Sequence, residues 1–130
     1  MLVIDASFAI EASLASDAFE HIRKSGAVAP SLMWSEATSV LHEMQWRGAI
    51  SKNLAAEAQK RLAGAPIVRR RLSNLQTRAW EIAEKLGWAK TYDAEYVAMA
   101  QLLMCPLLTT DARMARAAAN EVGIITPAEL

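Results

Sequence analysis

The stretch Leu2-Val3-Ile4-Asp5-Ala6-Ser7 begins with a continuous apolar run, Leu2-Val3-Ile4, and an acid, Asp5, follows that run directly. A continuous apolar run of this length is typical of a strand that is buried on both faces of a parallel sheet. Comparable, weaker runs recur at 27–29, 67–68, 107–109 and 123–125. Apolar residues at helical spacing separate the runs, so we predict alternating strands and helices and an α/β fold with a covered parallel sheet.

Helical patterns fill the gaps between these runs. We predict helices over about 15–26, 31–47, 51–63 and 72–86, one that follows Asp93, and short ones opened by Asp5 and Asp111. Ser51 is a good N-cap, and Gly87 is a good helix stop. In the helix after Asp93, the apolar residues Val97, Ala100 and Met104 are predicted to face the core.

Composition limits the class of protein. A chain of 130 residues, 53% of them hydrophobic, is predicted to form one domain over residues 1–130 with its own core. The one cysteine, Cys105, cannot form an internal disulfide, and no stretch of about 18 uncharged residues suits a membrane span. We therefore expect a cytoplasmic protein that does not enter a membrane.

The charge balance argues against a general affinity for polyanions. Lys and Arg total 14, as do Asp and Glu, so contacts with nucleic acid must come from local patches. The clearest basic patch is Arg69-Arg70-Arg71, and lesser ones lie at Arg23-Lys24 and at Arg113 and Arg116. A solvated helix or strand end explains each patch as well as phosphate contact does.

Four acids occupy the positions where a parallel sheet builds its sites. Asp5 follows the first apolar run, Glu36 lies in the early turns of the helix after the second, and Asp111 closely follows the fourth. Asp93 opens the helix that leads into that fourth run. Because open α/β sheets bind ligands beyond the carboxyl ends of their strands, the four side chains are expected to meet at one edge.

A cluster of four carboxylates needs a counter-charge. Two carboxylates about 4–5 Å apart repel by roughly 3–4 kcal/mol at an effective dielectric constant near 20, against a total domain stability of ~5–15 kcal/mol. At neutral pH a bound cation relieves this repulsion more simply than protonation does. His21 and His42 are poorly placed and Cys105 is alone, so the all-oxygen set favours Mg²⁺ or Mn²⁺ over zinc.

Each acid has a simpler explanation when it is taken alone. Asp5, Asp93 and Asp111 are good helix N-caps, and Glu36 by itself is an ordinary exposed helix residue. The set is more persuasive, because four coincidences would have to share one edge. Other catalytic patterns fit poorly: no serine has a His–Asp partner set, and the five glycines form no phosphate loop. The four tryptophans are expected in the core or an interface rather than against bases.

Four segments resemble the motifs of PIN domains in order and spacing, and the resemblance runs essentially end to end. They are Val3-Ile4-Asp5-Ala6-Ser7, Pro30-Ser31-Leu32-Met33-Trp34-Ser35-Glu36, Tyr92-Asp93-Ala94-Glu95-Tyr96-Val97-Ala98-Met99-Ala100 and Leu107-Leu108-Thr109-Thr110-Asp111. Within that family the chain resembles the VapC-type toxins of bacterial toxin–antitoxin pairs. One such motif is weak, whereas four in order are specific.

The resemblance implies a three-layer α/β/α fold with a parallel sheet of four to five strands in the order 3-2-1-4-5. It also implies a Mg²⁺- or Mn²⁺-dependent endoribonuclease that is inhibited by a cognate VapB-type antitoxin and is commonly a homodimer. By position, the family's catalytic and metal-binding acids fall on Asp5, Glu36, Asp93 and Asp111, and its supporting hydroxyls on Thr109 and Ser7.

One position departs from the family pattern, because Ser39 stands where members often carry Asn one turn after the helix glutamate. Serine has a shorter reach, which affects carboxylate orientation more than metal binding. An alternative function is therefore a PIN-fold module that binds RNA or protein without cutting. A phosphoacceptor receiver domain is disfavoured, since its central aspartate would fall near Arg69-Arg70-Arg71, the patch that we expect to line an RNA path.

Overall fold

The computed structural model describes all 130 residues and contains five short strands and six α-helices. The strands are β1 (Leu2–Ile4), β2 (Ala27–Ala29), β3 (Val68–Arg69), β4 (Leu107–Leu108) and β5 (Ile124–Ile125). The helices are α1 (Ala6–Ser13), α2 (Leu32–Trp46), α3 (Lys52–Ala63), α4 (Leu75–Leu86), α5 (Tyr92–Leu103) and α6 (Ala112–Ala118). Short 3₁₀ helices lie at Ala18–Ile22 and Pro127–Glu129.

The five strands form one parallel sheet in the order β3-β2-β1-β4-β5, which confirms the predicted strand order and three-layer fold. Val3 at the centre pairs with Val28 on one side and Leu107 on the other. The chain order runs outward in both directions from β1 and β4, so the switch point of the sheet lies between these two strands. Sites in open α/β sheets form beyond the strand ends at that point.

Helices cover the sheet in two groups: α1, α2 and α3 pack against one another, and α4 packs on α5. The central strands are fully enclosed, since Val3, Ile4, Leu107 and Leu108 have no exposed surface. Burial on both faces explains why these strands are continuous apolar runs rather than alternating ones. No helix in the structure combines the length and the apolar character that crossing a membrane would require.

Two local predictions are wrong. The segment over 15–26 forms only a 3₁₀ helix at Ala18–Ile22, because its two apolar anchors, Phe19 and Ile22, are three residues apart and one tight turn buries both. Met104 does not face the core: it ends α5 with a φ of +52° and is 91% exposed. The chain must turn there to enter β4, and a left-handed residue at the helix end makes that turn.

Other element boundaries shift by one to three residues. The edge strand β3 comprises Val68–Arg69 rather than 67–68, and α4 begins at Leu75 rather than at 72. The predicted helix limits at Ser51 and Gly87 are confirmed. Ser51 Oγ accepts the Leu54 N–H at 3.0 Å, and Gly87 ends α4 with a φ of +73°.

Candidate active site

Asp5 is the most tightly held of the four acids. It directly follows β1 and caps α1, and it is only 3% exposed. Its Oδ1 accepts the Ser7 hydroxyl at 2.7 Å and the Phe8 N–H at 3.1 Å, and its Oδ2 accepts the Thr109 hydroxyl at 2.5 Å. Burial raises the pKa of Asp5, and these three donors oppose that rise.

Ser7 and Thr109 join the ends of β1 and β4 around that carboxylate. Their hydroxyl oxygens lie 3.1 Å apart. The Thr110 N–H donates to Ser7 Oγ at 3.1 Å, and the Asp111 N–H donates to Thr109 Oγ1 at 3.0 Å. The two hydroxyls therefore orient Asp5 and also position the backbone that carries Asp111.

Glu36 is held by a residue that the sequence did not single out. It is half-buried on α2, and its Oε1 accepts the Tyr96 hydroxyl of α5 at 2.9 Å. Tyr96 is 1% exposed, and burial together with the Glu36 charge raises the pKa of Tyr96 far above its ordinary value, so the phenol stays a neutral donor. Ser39 is exposed and gives Glu36 no hydrogen bond.

The signal for Tyr96 was available in the sequence. Tyr96 lies three residues after Asp93, and residues at this spacing share a helix face. Nothing in the spacing, however, indicated that α2 would bring Glu36 within reach of the phenol, because the two residues are 60 positions apart.

Asp93 and Asp111 complete the group from α5 and α6. The N-cap of α5 is Thr91, so the capping interpretation of Asp93 is wrong. Asp111 does cap α6, since its Oδ1 accepts the N–H groups of Arg113 at 2.9 Å and Met114 at 3.3 Å. Although Asp93 as a residue is exposed, desolvation of its carboxyl and the charge of Asp111 raise its pKa, and Arg113 lowers it.

Each of the four carboxylates at this sheet edge is within electrostatic reach of two of the others. Asp111 raises the pKa of Asp5, while Asp93 and Asp5 raise that of Glu36, in each case after the larger effect of burial. The ion pairs of the structure join other acids, at Arg23–Glu20, Arg61–Glu57, Arg78–Glu81 and Lys85–Glu121. The cluster therefore concentrates negative charge without a Lys or Arg ion pair.

The donor chemistry fits a hard divalent ion, but the present geometry does not assemble one set of ligands. The groups at the edge are carboxylate and hydroxyl oxygens, which Mg²⁺ and Mn²⁺ prefer. No three His, Cys, Asp or Glu side chains converge closely enough to hold an ion. Like charges repel, and Glu36 and Asp111 are engaged with Tyr96 and the start of α6. For several of these acids to bind one ion together, their side chains must therefore move from these positions.

The raised pKa values predict that mild acid stabilises the protein in the presence of EDTA. The folded-state pKa of Asp5, Glu36 and Asp93 lies above the ordinary value. Between the unfolded and folded pKa values the native state binds more protons, so the free energy of unfolding rises as the pH falls from 7 towards 5. Urea unfolding at both pH values measures this change. The slope should be smaller in Asp5→Asn, and a wild-type stability that falls over this interval contradicts the prediction.

A groove of about 720 Å³ is lined by residues at the starts of α2, α4 and α5, among them Glu95, whose charge raises the pKa of Glu36. Arg70 and Arg71 line it, together with Ser31 and Gln76. Arg69 takes a different position, because its guanidinium lies 4.4 Å from the centre of the Trp34 ring. Of the three arginines in the basic patch, two therefore face this groove and one stacks on a tryptophan.

The parallel sheet and the acids beyond its switch point can be compared with those of known protein families. Residues 2–120 match the family model of the PIN domain. Ribonuclease VapC9 of Mycobacterium tuberculosis is 36% identical over 118 residues, which cover 88% of each chain. The chain thus belongs to the PIN domain family and, within it, is of the VapC type.

Solved structures show the same fold at lower sequence identity. The crystal structure of PAE2754 from Pyrobaculum aerophilum matches with a TM-score of 0.77 and 20% identity, over 98% of this chain and 90% of that one. A toxin–antitoxin complex from Klebsiella pneumoniae matches with a TM-score of 0.67 and 18% identity over the whole of both chains.

Proposed function

We propose that the chain is a Mg²⁺- or Mn²⁺-dependent endoribonuclease that acts in the cytoplasm as the toxin of a toxin–antitoxin pair. The observation that carries the proposal is the concentration of four carboxylates beyond β1 and β4 with no Lys or Arg ion pair. Phosphodiester hydrolysis that is assisted by a divalent ion requires a group of carboxylates to bind that ion. The relative VapC9, a ribonuclease by name, supports the choice of RNA as substrate.

In this proposal the chain's own residues position the acids and need not supply a nucleophile. Asp5 and Asp93 would be the principal ligands, with Asp111 and Glu36 completing the set. Mg²⁺ or Mn²⁺ bound there would lower the pKa of an attacking water and offset charge on the departing 3′ oxygen. The hydroxyls of Ser7 and Thr109 keep the Asp5 carboxylate oriented by donating to it.

A nuclease assay tests the proposal directly. Purified protein incubated with RNA and Mn²⁺ should produce internal cleavage, and EDTA should stop it. The alternative, a PIN-fold module without activity, predicts RNA or protein binding and intact RNA under both conditions. Intact RNA with Mn²⁺ and with Mg²⁺ would therefore favour that module and reject the nuclease.

We expect Tyr96→Phe to slow cleavage while leaving the packing of the ring in place. Without the phenol, Glu36 loses its donor at 2.9 Å. A hydrogen bond to a charged group contributes about 1.5–3 kcal/mol, so kcat should fall roughly 10- to 100-fold with little change in KM. Tyr92→Phe, on the same helix but 54% exposed, is the matched control. Equal rates in the two variants would show that the phenol does not position Glu36 for the reaction.

RNA is proposed to run through the groove that Arg70 and Arg71 line. Each phosphate contact on a single strand contributes about 0.7 to the slope of log K against log salt concentration. Changing both arginines to Gln should weaken binding of every RNA sequence and flatten that slope, measured by fluorescence anisotropy in an Asp5→Asn background. Arg47→Gln, an exposed arginine at the end of α2 and outside every basic patch, is the control. An unchanged slope in the double variant would place the RNA elsewhere.

An antitoxin of the VapB type is the proposed protein partner, together with a second copy of the chain. The Klebsiella pneumoniae neighbour was solved as a toxin–antitoxin complex, which supports a partner of this kind. Trp46 is 82% exposed on α2, so an apolar side chain is available to such an interface. Co-purification with the product of the adjacent reading frame, and light scattering of the free chain, test the two partners separately.

A further inference from the structure

A second cavity adjoins the acidic cluster and shares no residue with the arginine groove. Its volume is about 220 Å³, and its walls are Trp88, Asp93, Asp111, Arg113, Met114 and Ala117. Two of the walls are acids of the proposed active site. Any ligand in this cavity therefore lies directly beside the position at which a phosphodiester bond would be cut.

The remaining walls have the chemistry of a nucleobase site. Trp88 and Ala117 are half-buried and Met114 is almost fully buried, and the three form the apolar part of the cavity wall. Trp88 packs partly against the core, which leaves the rest of its side chain exposed. Arg113 is exposed, and its charge reaches Asp93, whose pKa it lowers. An aromatic ring beside a guanidinium matches a base joined to its phosphate, because bases stack on indole rings and arginine pairs with phosphate oxygens.

The backbone holds Trp88 in place at this cavity. Gly87 ends α4 in the left-handed region, with a φ of +73°, and the next residue turns back. The Trp88 N–H then donates to the Ala83 carbonyl at 2.9 Å. Trp80 lies on α4, is not among the walls of this cavity, and is 66% exposed. The two tryptophans thus provide a natural comparison between an indole at the site and one outside it.

The walls of the two cavities differ, which suggests that they bind different parts of an RNA chain. The arginine groove has no aromatic side chain among its walls, whereas the smaller cavity has one. Phosphate contacts position an RNA chain. An aromatic ring stacks on any base, and it holds an unpaired base in place so that neighbouring polar groups can read the edge of that base. A volume of about 220 Å³ holds one flat heterocycle but not a base pair.

We propose that this cavity takes one nucleobase of single-stranded RNA next to the scissile phosphate, stacked on Trp88 with its phosphate near Arg113. Trp88 then holds the base in place while the edge of that base is read. The proposal rests on the endoribonuclease function and deepens it, since it names the strand state of the substrate and the position at which sequence is read.

Cleavage mapping tests the role of Trp88. With Mn²⁺ and a randomised RNA, Trp88→Leu should reduce kcat/KM about 5- to 100-fold and flatten the base preference at one position beside the cut. Trp88→Phe should restore part of the preference, because a smaller ring still stacks. Trp80→Leu should change neither quantity. An unaltered preference in a folded Trp88→Leu protein overturns the proposal.

A binding measurement keeps the test independent of catalysis. In the Asp5→Asn background, a short single-stranded RNA should quench tryptophan fluorescence, and Trp88→Leu should remove most of the quenching that Trp80→Leu retains. Equal quenching in both variants rejects the cavity as a base site, even when the wild-type protein cuts RNA. If the wild-type protein does not cut, Trp88-dependent quenching still supports the base site, and only the nuclease assignment fails.

Discussion

Asp5→Asn is expected to abolish RNA cleavage and to leave the fold intact. Asparagine has the shape of aspartate. The Ser7 and Thr109 hydroxyls can each donate or accept a hydrogen bond, so they can bond to an amide as well as to a carboxylate. The variant lacks the negative charge that a divalent ion would need at the end of β1. We expect kcat to fall by roughly 10³-fold or more, about 4 kcal/mol of activation free energy.

The matched control for this variant is Asp17→Asn. Asp17 precedes the 3₁₀ helix, is exposed, and makes no capping hydrogen bond through its side chain. The Asp17→Asn variant loses one negative charge outside the acidic cluster, so its cleavage rate should equal that of the wild type. Circular dichroism and melting curves verify that both variants are folded. An Asp5→Asn protein that cuts RNA at the normal rate would rule out the proposed mechanism.

Millimolar Mg²⁺ or Mn²⁺ is expected to raise the melting temperature of the wild-type protein. Burial raises the pKa values of Asp5, Glu36 and Asp93. The charge of Asp111 raises those of Asp5 and Asp93 further, and the charges of Asp93 and Asp5 raise that of Glu36, so the site favours added positive charge. A ligand at 100 times its Kd stabilises by about 2.7 kcal/mol, and each kcal/mol shifts the melting temperature of a domain this size by a few degrees.

The substitution and the metal should each raise the melting temperature, but their effects should not add. In EDTA, Asp5→Asn should melt above the wild type, because a buried charge has been removed without loss of shape. On addition of Mg²⁺ the wild type should gain most, and Asp5→Asn should gain little. NaCl at equal ionic strength controls for general screening. A melting temperature indifferent to both treatments would remove the physical reason for a metal site at this edge.

Much of the fold was predictable because the relevant forces are local in sequence. Strands buried on both faces must be continuous apolar runs, and Leu2–Ile4 and Leu107–Leu108 are such runs. Ser51 and Gly87 supply the hydrogen bond and the left-handed conformation that begin and end helices. Where two apolar residues three apart satisfy either helix type, as at Phe19 and Ile22, the pattern indicated a longer helix than forms.

The amino-acid sequence predicted Asp5, Glu36, Asp93 and Asp111 near one edge, because parallel strands end on the same side of a sheet. It was not sufficient to identify their partners. The Tyr96–Glu36 bond joins α5 to α2 across 60 positions, and the Thr109–Asp5 bond spans 104 positions. Likewise, Arg69 stacks on Trp34 while Arg70 and Arg71 line a groove. Such contacts depend on how distant elements pack, and residue spacing along one element contains no information about that.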